Sequence, residues 1–141
     1  MNTKVGTAED RITGHCACGA VRFTAHGPFR PFVGCHCESC RRQSGHFIMA
    51  TRCAADALEI SGEENLSGWR ASEQSTRRFC KTCGAHMFWV PDDGSTVSIF
   101  AGCVDHPSII PAGWHIHASE KADYYDLNDG LAVYPLGSGL P

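Results

Sequence analysis

The chain has 141 residues, 43% of them hydrophobic, and a formal net charge of −3. That length suits one domain, able to bury roughly two thirds of its unfolded surface. An acidic balance without a basic run longer than two residues argues against nucleic acid as a partner, and no apolar stretch approaches the ~20 residues that span a bilayer.

The opening, "MNTKVGTAEDRITG", is polar and lacks the apolar core of a secretory signal. Residues 1–12 are expected to be a flexible lead-in, followed by one domain over 13–137 and a tail at 138–141. A cytoplasmic location follows from the same reading.

Short strand-like segments then recur along the chain. "AVRFTA" (20–25) alternates Val21 and Phe23 with polar neighbours, and "HFIMAT" (46–51) and "STRRF" (75–79) look similar. "AHMFWV" (85–90), "TVSIFA" (96–101) and "WHIHA" (114–118) complete the series. Gly27-Pro28, Pro91 to Gly94, Pro107, Pro111 and Gly113 punctuate them as turns. A helix is expected only for a turn or two after Cys40, and "AADA" (54–57) is too short to matter. Many short strands with few helices predict a mostly β fold, a sandwich or a barrel-like pair of sheets.

Nine cysteines are the anomaly in this composition. Cytosolic thiols stay reduced, and an odd count leaves one over in any all-disulfide scheme, so metal ligation is the better account. Cys16-Ala-Cys18-Gly19 and Cys80-Lys-Thr-Cys83-Gly84 each offer two thiols followed by a glycine that can take a positive φ. Paired, they make a closed, structural four-thiolate site. It would tie the first strand to residues more than sixty positions downstream, and metal binding would become folding energy. The bland alternative is that these cysteines are small buried hydrophobes.

Cys35-His36-Cys37-Glu38-Ser39-Cys40 then has three thiols and no second pair to join. Three protein ligands leave zinc a fourth position for water or a substrate atom. A thiolate-rich shell makes a weak Lewis acid but a good host for an exchanging external thiolate. Closure by Cys53, Cys103 or a histidine would instead make a second structural site.

In this order, the clusters resemble the glutathione-dependent formaldehyde-activating enzyme family, which includes centromere protein V. The likeness runs from "GHCACGAVRF" through "CHCESCRRQSG", "RRFCKTCGAHMFW" and "FAGCVDHP" to "HIHASEKADYYDLNDGLAVYP". It implies a zinc-stapled β-tent of two or three small antiparallel sheets with few short helices. It implies two zinc ions per chain, one structural at Cys16, Cys18, Cys80 and Cys83, one catalytic at Cys35, Cys37 and Cys40. The implied activity is that of a carbon–sulfur lyase, with glutathione as co-substrate and formaldehyde or another small electrophile as partner. Cys103 stands where many relatives are expected to carry a hydroxyl residue.

Under that reading the proton for the forming alkoxide has four candidate donors: His36, Glu38, His46 and Asp105. Arg41 and Arg42, directly after the third thiol, and Lys121, in the late segment with Ser119, Tyr124 and Tyr125, are candidate glutathione contacts. Solvated surface roles are the alternative for the two arginines, and edge-strand or core roles for the late segment. His115-x-His117 imitates a ligand pair but reads as surface or core histidines. Trp69, Trp89 and Trp114 read as core or pocket walls rather than a nucleic-acid stacking platform. Two other functions compete with the enzyme: a non-catalytic zinc-stabilised interaction module, and a thiol redox switch using Cys53 or Cys103.

Overall fold

The computed structural model describes residues 4–137. The expected tail at 138–141 and the first three residues of the lead-in lie outside the described residues. Val5 and Phe29 exchange backbone hydrogen bonds of 2.7 and 2.8 Å, so packed structure begins ahead of residue 13.

In chain order the strands are β1 (Arg11–His15), β2 (Arg22–His26), β3 (Arg30–Cys35), β4 (Ile48–Ala54), β5 (Leu58–Ser61) and β6 (Leu66–Ser72). They continue as β7 (Ser75–Cys80), β8 (His86–Pro91), β9 (Thr96–Phe100), β10 (Ala112–Ile116) and β11 (Ala132–Val133). One α-helix, α1 (Glu38–Ser44), follows β3. The expectation of a mostly β fold in two sheets holds, and the sheets differ greatly in width. The smaller has order β1-β2-β5, and the larger has eight strands in the order β11-β10-β3-β4-β9-β8-β7-β6. The larger is mixed, since β10 runs parallel to both β3 and β11.

Alternation explains how the two sheets stack. In β1 and β2, Ile12, Gly14, Phe23 and Ala25 point inward while their neighbours face outward. They meet Phe88, Met87, Val97 and Ile99 of the larger sheet in one apolar core. Phe23 meets Phe88 edge-on at 5.5 Å between ring centroids. Strand β9 is buried along almost its whole length. Val97 and Ile99 face this core, whereas Ser98 and Phe100 face a cavity on the opposite side of the sheet.

Strand β3 ends at Cys35 and the chain turns directly into α1. The helix starts at Glu38, ahead of Cys40, because Cys37 is its N-cap: the Cys37 thiol accepts a 3.3 Å hydrogen bond from the Cys40 amide. Gly45 ends the helix at φ 92°, its amide bonded to the Arg41 carbonyl at 2.8 Å. Cys40 therefore sits in the first turn with its side chain buried.

Gly14 of β1 has no room for a side chain: an added Cβ would lie 2.1 Å from the carbonyl oxygen of Cys103, in the turn after β9, and 2.4 Å from the ring of Phe23, its partner on β2. Gly14→Val should therefore cost about 3 kcal/mol or more, the upper range for overpacking. Thermal unfolding checks this, and an unchanged midpoint would show that the small sheet is not clamped at that point.

Candidate functional site

Two groups of thiols converge in the fold. Cys16, Cys18, Cys80 and Cys83 form one, Cys35, Cys37 and Cys40 the other, and within each group the sulfurs lie within 4.8 Å of one another. Both groups could hold a metal ion, and their all-sulfur donor sets suit zinc.

The four-thiol group joins the β1–β2 turn to the end of β7. Cys18 Sγ lies 3.6 Å from Cys16 Sγ and 3.8 Å from Cys80 Sγ. Gly19 at φ 81° and Gly84 at φ 78° make the tight turns that bring the thiols round. The Val21 amide donates to the Cys16 sulfur at 3.3 Å. Backbone amides, the Ala85 amide foremost, draw the Cys83 thiol down to about 6. Such donors favour thiolate, the form a metal requires.

The three-thiol group lies where β3 meets α1. Hydrogen bonds from the Cys35 and Cys40 thiols hold Cys37 well below the usual thiol range. Cys37 and Cys40 in turn push Cys35 up. Cys40, which the Cys35 contact alone would lower, is pushed up to about 11 by Cys37 and burial. One negative charge is thus shared among three sulfurs that a divalent cation would ionise together. Among the described residues no histidine, carboxylate or further thiol completes the group. Cys103 does not close it: that thiol donates to the His86 carbonyl at 2.8 Å and interacts with Cys16 and Cys83, the other group. Cys53 is buried in the core on the opposite face of the sheet.

The trio lines a cavity of about 340 Å³ on the face of the larger sheet away from the core. Val33, Ile48, Ala50, Trp89, Phe100 and Ile116 give it apolar walls. Arg77, only 5% exposed, reaches in from β7 and donates to Cys40 Sγ at 3.3 Å, to Gln43 Oε1 at 3.0 Å and to the Ser39 carbonyl at 3.2 Å. It delivers a buried positive charge to the sulfurs and ties α1 to the sheet. Arg30, Arg52, Ala71, His117 and the serines at 39, 72, 75 and 98 complete the lining.

The proton-donor candidates fall elsewhere. His36, 1% exposed, has both ring nitrogens engaged, Nδ1 with Tyr125 Oη at 2.6 Å and Nε2 with His115 Nδ1 at 2.9 Å. His115 Nε2 in turn meets Asp129 Oδ2 at 2.8 Å, so His115 is a satisfied core histidine. Glu38 is exposed and paired with Arg42 at 2.9 Å, and His46 bonds to Tyr124 Oη at 2.7 Å. Asp105 accepts from Thr13 at 2.8 Å, beside the small sheet. Arg41 and Lys121 are half-buried outside the cavity lining, and the Lys121 ammonium bonds the Ala122 and Tyr125 carbonyls above the Tyr125 ring.

In the sequence His117 is only one half of a pair that reads as surface or core histidines. It lines the cavity and is the one non-glycine with positive φ, 55°, among the described residues. Nothing in its neighbourhood in the sequence announces that conformation.

This is a β-fold protein with two cysteine-rich centres, one of four thiols and one of three opening on a cavity. The family model described as glutathione-dependent formaldehyde-activating enzyme matches residues 11–120. A Halomonas elongata protein provisionally named as such an enzyme is 32% identical over 127 residues, covering 82% of this chain and 80% of its own. An uncharacterized lyase of Schizosaccharomyces pombe is 31% identical over 126 residues, covering 86% and 88% respectively. A crystal structure of a Rhodobacter sphaeroides protein matches with a TM-score of 0.58 at 20% identity, over 86% of this chain and 98% of that one, and shares the fold. The chain belongs to the glutathione-dependent formaldehyde-activating enzyme family. It is an enzyme of that family's lyase kind.

Burial holds His36 neutral, with His115 adding to the effect, and brings it down to about 4. Its ¹⁵N imidazole shifts should therefore stay those of the neutral ring at pH 5.5 and change only near pH 4. A titration centred near the ordinary 6.5 would contradict the buried network.

Proposed function

We propose that the chain is a zinc-dependent carbon–sulfur lyase that forms and cleaves the adduct of glutathione with formaldehyde or another small electrophile. The observation that carries this reading is the trio Cys35, Cys37 and Cys40: three convergent thiols without a fourth protein donor among the described residues, opening on an apolar cavity. Two zinc ions per chain are proposed, the structural one at Cys16, Cys18, Cys80 and Cys83. Zinc at the trio would keep a co-substrate thiol ionised at neutral pH.

The remaining work falls to the chain. In the forward direction the thiolate sulfur forms a bond to the carbonyl carbon, the carbonyl π pair moves to oxygen, and that oxygen takes a proton. Cleavage reverses each movement. The cavity holds the two reactants together, replacing a bimolecular encounter, and its apolar walls limit competing water. Arg77 balances the negative surplus that three thiolates leave around a divalent cation. His117 supplies the proton, since it is the imidazole among the cavity-lining side chains. A cytoplasmic location suits an enzyme that needs seven reduced thiols.

Cys37→Ser should cut the rate enhancement over the uncatalysed reaction at least about a hundredfold while the metal bound by the other four cysteines remains. Formaldehyde adds to thiols unaided, so the comparison is of rates with and without protein. Full activity in a folded variant retaining that metal would refute the catalytic role. His117→Asn keeps a residue type that tolerates positive φ. It should reduce kcat about a hundredfold with little change in KM, and an unchanged kcat would remove His117 from the mechanism.

A further inference from the structure

We propose that Arg30 and Arg52 form a carboxylate-recognition site at the end of the cavity opposite the thiol trio, and that the substrate carries an anionic group placed to meet them. The proposal rests on the preceding reading for the reacting end only. The distance comes from the register: Cys35 pairs with Ile48 and Arg30 with Arg52 across β3 and β4. The two pairs stand four residue steps apart along β4, about 13 Å at ~3.3 Å per residue. The thiol of glutathione stands on its middle residue, so an extended arm places a carboxylate about 7 Å from the sulfur, and the long arginine side chains have to cover the remainder.

The electrostatics ask for an anion. No carboxylate lines the cavity, and among the described residues neither Arg30 nor Arg52 forms an ion pair. Arg77 is already engaged with Cys40 and α1. Arg30 spends one donor on the Ala50 carbonyl, at 2.9 Å, and its buried Nε has no partner. Arg52 lies over the Trp89 ring at 5.8 Å and makes only a long, 3.4 Å contact to Ser98 Oγ. Burial, and then the charge of Arg52, bring Arg30 down to about 9. Two partly desolvated guanidiniums facing each other are held at a cost that a carboxylate, accepting from both forks, would relieve. Formaldehyde offers no such group, so the carboxylate belongs either to the thiol co-substrate or to a larger electrophile.

The test uses calorimetry on the zinc-loaded protein with three ligands: glutathione, its diethyl ester, and S-methylglutathione, which keeps both carboxylates but has no thiol to ionise. KM values for glyoxylate and formaldehyde in adduct formation are measured alongside. If the thiol carries the carboxylate, wild type should bind the ester about tenfold or more weakly than the acid. Arg30→Gln and Arg52→Gln should then weaken glutathione and S-methylglutathione by a similar factor, leave the ester unchanged, and be partly rescued by Arg52→Lys. If the electrophile carries it, acid and ester bind alike, and the glutamine variants raise the glyoxylate KM about tenfold while sparing formaldehyde. Ligand affinities and KM values all within about twofold between wild type and variants, or no binding of any carboxylate ligand, would overturn the proposal. Failure of the zinc–thiol reading looks different: glutathione would bind no tighter than S-methylglutathione, while the arginine effect on the latter stands. Where a variant does not fold, wild type still decides: an ester that binds as well as the acid, together with a glyoxylate KM no lower than that for formaldehyde, would overturn the proposal.

Discussion

Three sulfurs confined within 4.8 Å at the junction of β3 and α1 impose the constraint on which the rest of the molecule turns. Three thiolates at that separation repel one another strongly inside a protein, so without a cation they share protons. The surroundings are arranged to bear the charge. Cys37 caps the helix, Arg77 crosses from β7 to the Cys40 sulfur, and the interposed His36 is turned inward, anchored by Tyr125 and His115.

The wide sheet separates stability from chemistry. Its one face packs on the small sheet through Phe23, Phe88 and Ile99, and the four-thiol group ties the same two layers together at their edge. Its other face carries the cavity, floored by the alternate residues of the very same strands. Strands β4 and β9 are thus enclosed on both sides, which gives the thiol trio a rigid floor. The parallel pairing of β10 with β3 brings Ile116 beside Cys35 and His117 to the cavity rim.

Much of this was legible in the chain, and the reasons for the remainder are physical. Clustered thiols advertise themselves because the spacing is local, and the strands at 20–25, 75–79, 85–90 and 96–101 carry alternating apolar or β-branched residues. Strand β6, "LSGWRAS", is largely exposed and pairs on one side only, so it has no apolar alternation to find. Strand β3 opens on Arg30-Pro31, and its place in the sheet is set by its two partners, β4 and the distant β10. Arg41 and Arg42 stand next to a thiol in sequence, yet helical turns carry them away from the cavity lining. Arg30, Arg52 and Arg77 enter that lining from three separate strands. Such a convergence exists only after the sheet has formed, and the sequence pattern at each arginine is that of an ordinary strand residue.

The most direct test of this account is an anomalous-scattering map at the zinc edge from crystals of fully metallated protein soaked with glutathione. The account predicts two ions, and the one held by Cys35, Cys37 and Cys40 should have the glutathione sulfur as its fourth ligand at about 2.3 Å. An ion there enclosed by a fourth protein atom, or no ion among those three sulfurs, would contradict it.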